Sequence, residues 1–243
     1  MVPLCHAVAS ARTDMRVVTP AAGPASTFGA PADPKVSTVS TLVLVRHATT
    51  AATGRRLGGW TPGVHLDDAG RDQAAATAER LAQQPLRAVY ASPLERTMET
   101  ARAVARPHGL PVRRRKGIGE VDYGDWTDQP LGQLRRRKLW STIQTTPSRV
   151  TFPGGESIRG AQSRAVDTVE ALAADHAGEH VALVSHADII KAVLAHFLGM
   201  SLDCFQRLVI DPASVSIVHL PAGGPPVVLA CNRTGSSPTG TPS

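Results

Sequence analysis

Cysteine is scarce: Cys5, Cys204 and Cys231 are the only three in 243 residues. An odd number at wide spacing builds neither a disulfide framework nor a zinc site. Aromatic residues make up 4% of the chain. None lies inside the two "RRRK" runs at 113–116 and 135–138, so neither run has the stacking platform of a single-strand nucleic-acid binder. Long apolar runs are missing as well. No stretch approaches the ~20 residues that span a bilayer, and the first 20 residues lack the basic-then-apolar layout of a secretory signal. The expectation is a soluble, cytoplasmic protein with no membrane partner. Lysine occurs only at positions 35, 116, 138 and 191, so the net charge of +6 is carried almost entirely by arginine. Abundant Arg, Ala and Pro with little Lys is the composition of a GC-rich genome. No nucleic-acid partner is expected, and attraction of an anionic small molecule fits the same charge. There is also no GxxxxGK[ST] phosphate loop, no GxSxG elbow and no metal-ligand spacing, so no metal or organic cofactor is expected.

What is present is an ordinary globular composition, 42% hydrophobic and 19% charged. Residues 1–38, rich in Ala, Pro, Ser and Thr without periodicity, are expected to be a disordered extension, and 235–243 a flexible tail. Between them, 39–234 reads as one domain. "TLVLV" (41–45), "LRAVYAS" (86–92) and "HVALVSH" (180–186) are strand-like runs. Helices are expected over 69–84, 93–109 with Pro93 in its first turn and Gly109 past its end, 156–177, and 187–199. Two late β-rich runs, 214–220 and 226–231, flank a Pro/Gly turn. Apolar strands alternating with helices imply an α/β fold, a three-layer αβα sandwich with a mostly parallel central sheet. Ligands in such sheets bind at the carboxyl ends of the strands.

That rule gathers sequence-distant residues at one rim. Arg46 and His47 follow the first strand, Arg96 lies in "SPLER" after the second, and His186 ends "VALVSH". Two guanidiniums and two imidazoles around one point suit a dianionic phosphoryl group. A neutral imidazole can attack phosphorus, the cations stabilise charge on the transferring oxygens, and a nearby carboxylic acid can protonate the departing alkoxide.

Six motifs in order, "RHATT" (46–50), "HLDDAGRDQA" (65–74), "SPLERTMETA" (92–101), "EVDYGDW" (120–126), "FPGGES" (152–157) and "VSHADIIKAV" (184–193), make the chain resemble the histidine phosphatase superfamily, in its phosphoglycerate mutase-like branch. The resemblance implies His47 as the phosphorylated nucleophile, with Arg46, Arg96 and His186 around the phosphoryl group. It implies Glu120 as proton donor, held partly neutral by burial, with Asp122 as the fallback acid. Thr53, where the family often has Asn, is counted with the substrate-binding residues. Ala48-Thr49, Thr127-Asp128 and Ala187-Asp188 also depart from the family's usual Gly-Glu, Glu-Gly and Gly-Gly. Trp126 is expected either in the pocket wall or in the core, and Glu156 at a helix start where it favours the dipole. The other histidines, among them His65, His176 and His219, are given no role.

The family's mutases usually carry a longer insertion after the proton donor, whereas only the 33 residues 121–153 separate Glu120 from Gly154 here. This favours a metal-independent hydrolase acting on a small phosphorylated metabolite over a mutase or a non-catalytic phospholigand-binding protein. "RRRKL" (135–139) falls in that interval, and its arginines are expected to contact an anionic substrate, so that their removal raises KM. A homodimer through an exposed edge strand is also compatible with the chain.

Overall fold

A computed structural model of the protein describes residues 38–235. The expected N-terminal extension and C-terminal tail lie outside them, apart from Thr38 and Gly235. The strands are β1 (Val39–Arg46), β2 (Leu86–Ala91), β3 (Val112–Arg114), β4 (His180–Ser185), β5 (Val215–Pro221) and β6 (Val227–Arg233). The helices are α1 (Asp68–Leu81), α2 (Glu95–Ala105), α3 (Leu131–Leu134), α4 (Lys138–Thr145), α5 (Ile158–Asp175) and α6 (Ala187–Phe197).

The sheet runs β3-β2-β4-β1-β5-β6. β3, β2, β4 and β1 are mutually parallel, while β5 and β6 run antiparallel to their neighbours. Connection length decides which. A turn of five residues, with Gly223 in the left-handed region, joins β5 to β6 and permits only an antiparallel pair, whereas the parallel strands are linked through helices. The period of two along β1 assigns the layers. Val43 and Val45 pack with Leu81 of α1 and Met98 and Val104 of α2. Leu42 and Leu44 pack on the other face with Val166 and Val169 of α5 and Ile189 of α6. With both faces covered, the middles of β1 (Leu42–Val45) and β4 (Val181–Val184) are wholly apolar and buried.

Several element ends differ from the sequence expectation. α1 stops at Leu81 because the chain turns, Gln84 donating its N–H to Leu81 O, to enter β2. Pro93 lies ahead of α2 rather than in its first turn, with Leu94 as the extended N-cap. Pro107 lacks an N–H, so the last turn tightens to a 3-10 helix that Gly109 ends at φ 63°. α5 begins behind Ser157, whose hydroxyl accepts from the Gly160 N–H, so Glu156 stands outside the helix. β3, α3 and α4 have no counterpart in the periodicity. β3 is an arginine-rich edge strand beside which the Arg115 guanidinium stacks 4.7 Å from the Tyr90 ring. His176 is not solvated as its turn position suggests: it lies between Tyr90 Oη (2.9 Å) and Glu179 (2.6 Å). No helix among the described residues is long and apolar enough to cross a membrane.

Candidate active site

Adjacent strand ends create the site. The His47 N–H donates to Ser185 O at 2.9 Å and the Ser92 N–H to Val184 O at 3.0 Å, which aligns the ends of β1, β4 and β2. Arg46 and His47 leave β1, His186 leaves β4, and Arg96 projects from the first turn of α2. Glu120 arrives on the irregular backbone that follows β3. Arg46, His47, Thr53, Arg96 and Glu120 line one cavity of about 180 Å³, with Thr50, Arg56, Tyr123 and Asp188. His186, fully buried, stands directly behind, its ring edge-on to His47 with centroids 5.2 Å apart.

Hydrogen bonding fixes the His47 tautomer. Nδ1 lies 2.8 Å from Ala48 O, a pure acceptor, so Nδ1 carries the proton. Nε2 therefore keeps its lone pair, and the Arg96 Nε–H points at it from 3.3 Å. Burial, and then the Arg96 and Arg46 charges, hold the imidazole well below its usual range, so it is neutral near pH 7. His186 is depressed in the same way, first by burial and then by Arg96. An arginine only donates, so His186 Nδ1 accepts from Arg96 Nη2 at 3.3 Å, and Nε2 donates to Ser92 Oγ at 2.8 Å. Ser92 thereby sets the orientation of His186, a role carried by the first residue of "SPLER".

The two arginines are anchored but not satisfied. Arg46 Nη1 donates to Ile210 O at 2.6 Å and Arg96 Nη2 to Gly59 O at 2.8 Å. Arg46 Nε and Arg96 Nη1 are buried and have no hydrogen-bond partner among the described residues. Buried unpaired N–H groups are costly. Two of them, on cations lining the same cavity, suit a ligand rich in acceptor oxygens. Burial lowers both guanidiniums from their ordinary value, yet arginine remains protonated at physiological pH.

Glu120 is the carboxyl of this cavity. Burial, then the Asp188 charge, raises it to about 7, against the opposing pull of Arg96 and Arg46. Its Oε2 lies 3.6 Å from His186 Nδ1. Asp122, the fallback acid, is exposed and turned away: its carboxylate accepts from the Gly124 N–H and is not part of the lining. Trp126 belongs to the core, edge-on to Phe152, rather than to the pocket wall.

One expectation for the periphery needs correction. Arg135, Arg136 and Arg137 are exposed in the turn between α3 and α4 and do not line the cavity. The mouth cation is Arg56, paired with Asp128 at 2.7 Å. Removing all three of Arg135–Arg137 is therefore expected to change KM for a small phosphate ester by less than about fivefold, the ceiling for exposed charge pairs. Steady-state kinetics on the triple alanine variant checks this. Asp188 and Tyr123 were not singled out for the site. Their pairing, Tyr123 Oη–H to Asp188 Oδ2 at 3.0 Å, joins segments 65 residues apart, and only the departure from Gly at 188 hinted at it.

Comparison with known proteins identifies the family. The family model described as histidine phosphatase superfamily (branch 1) matches residues 42–233. Phosphoserine phosphatase 1 of Hydrogenobacter thermophilus is 31% identical over 186 residues, covering 74% of this chain and 86% of that protein. A metal-independent phosphoserine phosphatase of Arabidopsis thaliana is 32% identical over 195 residues, covering 76% and 78%. Among solved structures, a mycobacterial glucosyl-3-phosphoglycerate phosphatase superposes with a TM-score of 0.74 at 25% identity, covering 81% of this chain and all of that one. With a family model spanning nearly all of the described residues and relatives above 30% identity, the chain belongs to the histidine phosphatase superfamily, branch 1.

Proposed function

We propose that this protein hydrolyses small phosphomonoesters through a transient phosphohistidine at His47, without a metal ion. The observation that carries the proposal is the pair of unpartnered buried N–H groups, Arg46 Nε and Arg96 Nη1, on two arginines that line the same cavity as a neutral imidazole and a raised carboxyl. The His47 Nε2 lone pair attacks phosphorus in line with the ester oxygen. The N–P bond forms as the P–O bond breaks, and protonated Glu120 transfers its proton to the leaving alkoxide. Arg46 and Arg96 hold the non-bridging oxygens throughout, with His186 bracing the Arg96 guanidinium from behind. The Glu120 carboxylate then takes a proton from water as that water attacks phosphorus. Inorganic phosphate leaves, and both His47 and Glu120 return to their starting states.

A cavity of about 180 Å³ is below the size range typical of drug-sized ligands, which favours compact leaving groups. The relatives, named as phosphatases of phosphoserine and of glucosyl-3-phosphoglycerate, suggest hydroxy-acid or sugar-acid phosphates as the first panel. Hydrolysis rather than transfer to a second substrate is supported by the short 121–153 segment, which contributes only Tyr123 and Leu131 to the cavity lining. The same reading includes a cytoplasmic location. It also includes a homodimer along β6, where Val227 and Leu229 are about half exposed.

The test is hydrolysis of an aryl phosphate and the ester panel with and without chelator. Unchanged rates in chelator, together with a base-stable, acid-labile phosphoenzyme after rapid quench, are expected. Loss of activity in chelator would overturn the proposal, and phosphoryl exchange with a bisphosphoglycerate without net hydrolysis would replace it with a mutase.

A further inference from the structure

Glu120 sits on backbone that no long element supports. A 3-10 turn over Lys116–Ile118 leads into an irregular stretch, and the four consecutive carbonyls from Gly117 to Glu120 all accept from side chains. Ser185 Oγ donates to Ile118 O at 2.7 Å. The other three take one guanidinium, that of Arg164 on α5. Its Nη1 donates to Gly117 O at 2.7 Å and Gly119 O at 2.9 Å, and its Nη2 to Glu120 O at 2.8 Å. Trp60 Nε1 gives Glu120 O a second donor at 2.7 Å.

The remaining capacity of Arg164 goes to Glu156. Nε meets Oε2 at 3.0 Å and Nη2 meets Oε1 at 2.6 Å, a bidentate pair. Glu156 Oε1 also accepts from the Asp122 N–H at 2.8 Å. One guanidinium thus grips the chain before Glu120 directly and the chain after it through Glu156. The two glycines permit the close approach. A Cβ at Gly119 would lie 2.5 Å from the Trp60 ring, and one at Gly117 would lie 1.9 Å from Thr168 Oγ1. Neither Arg164 nor Glu156 lines the cavity that holds His47.

We infer that Arg164, neutralised by Glu156, is a positioning residue that fixes Glu120 at the pocket wall for proton transfer. The inference rests on the proposed role of Glu120. The guanidinium acts through the backbone. The charged and titratable groups that face the Glu120 carboxyl are Arg46 from β1, Arg96 from α2, His186 from the end of β4, Asp188 from α6 and Tyr123 from its own segment. With Glu156 paired to it, Arg164 adds little net charge beside the acid. Deleting the Glu156 charge alone would leave a cation next to Glu120 and favour its carboxylate form.

Two variants test this in the full chain, each with a thermal unfolding scan. Glu156→Gln is expected to keep KM within about twofold, to lower kcat by roughly tenfold, and to move the alkaline limb of kcat to lower pH. Arg164→Lys keeps the charge, but a single ammonium cannot replace the planar fork. It is expected to lower kcat by about 10–100-fold with KM again nearly unchanged. A purely structural contribution would instead lower the unfolding temperature and scale kcat with the folded fraction at every pH. That result, or wild-type kcat with an unmoved limb, overturns the inference. Should Arg164→Lys fail to fold, Glu156→Gln decides on the same criteria. A wild-type enzyme without His47-dependent turnover would instead sink the function proposed above, and the inference with it.

Discussion

Replacing His47 with alanine is expected to lower turnover of every phosphomonoester by roughly 10⁴-fold or more, while inorganic phosphate still binds. The two expectations come from different atoms. Turnover needs the Nε2 lone pair, which exists because Nδ1 is committed to Ala48 O at 2.8 Å and because burial and two arginines keep the ring neutral. No other side chain in the cavity can replace it. His186 does not line the cavity: it is fully buried behind it, with Nε2 directed to Ser92 and Nδ1 to Arg96. Phosphate affinity depends on Arg46 and Arg96, with His186 supporting Arg96 from behind, and alanine at 47 leaves all three in place. The check is kcat from initial rates alongside phosphate affinity by titration calorimetry, on wild type and variant. Activity retained within about tenfold would mean that water attacks the ester directly and that no phosphohistidine forms. Loss of phosphate binding along with activity would mean that the variant had collapsed the cavity, and an asparagine variant would then be needed to separate the two roles.

The parts of this site legible in the sequence are those that strand ends determine. An apolar run of four or five residues is a buried parallel strand, its end is a rim, and Arg46, His47 and His186 follow from adjacency. Arg96 followed from Pro93 and the helix behind it, even though Pro93 lies outside that helix. Side chains acting across long sequence separations were not legible. The grip of Arg164 on residues 117–120 spans more than 40 positions, and in a linear pattern Arg164 is one more polar residue on an amphipathic helix. The arginine run at 135–137 misled for the complementary reason. Charge density has a position in the sequence but no direction, and here it points to solvent while Arg56, inconspicuous in its loop, reaches the mouth. β3 stayed hidden because a three-residue edge strand with one valine and two arginines carries no apolar alternation.

Glu120→Gln should separate the two halves of the reaction and stabilise the protein above neutral pH. Glutamine cannot donate a full proton, so esters with poor leaving groups suffer most. An alkyl phosphate is expected to lose about 10²–10⁴-fold. An aryl phosphate, whose leaving phenolate has a pKa near that of tyrosine, about 10, needs less help and should lose much less in the first step. Its dephosphorylation still lacks a base, so phosphohistidine should accumulate in the variant and appear as a burst. In the wild type, the alkaline limb of kcat/KM for alkyl esters should fall near pH 7, where the raised carboxyl loses its proton. The same shift has a stability consequence whose sign is fixed. A carboxyl raised from 4.5 to about 7 by folding makes the native state bind the proton more tightly than the unfolded chain. Stability contributed by that proton is complete below about pH 4.5 and is lost as pH rises to about 7. The loss amounts to about 3 kcal/mol, at 1.36 kcal/mol per pH unit. Glutamine does not titrate, so the variant should match or exceed wild type above pH 7 by up to that amount, with the advantage vanishing below about pH 4.5. Denaturant unfolding of both proteins at pH 5 and pH 8 reads the difference directly. A stability gap that does not grow with pH would show that Glu120 is ionised in the folded protein at neutral pH. The acid would then have to be sought elsewhere in the cavity, at Asp188.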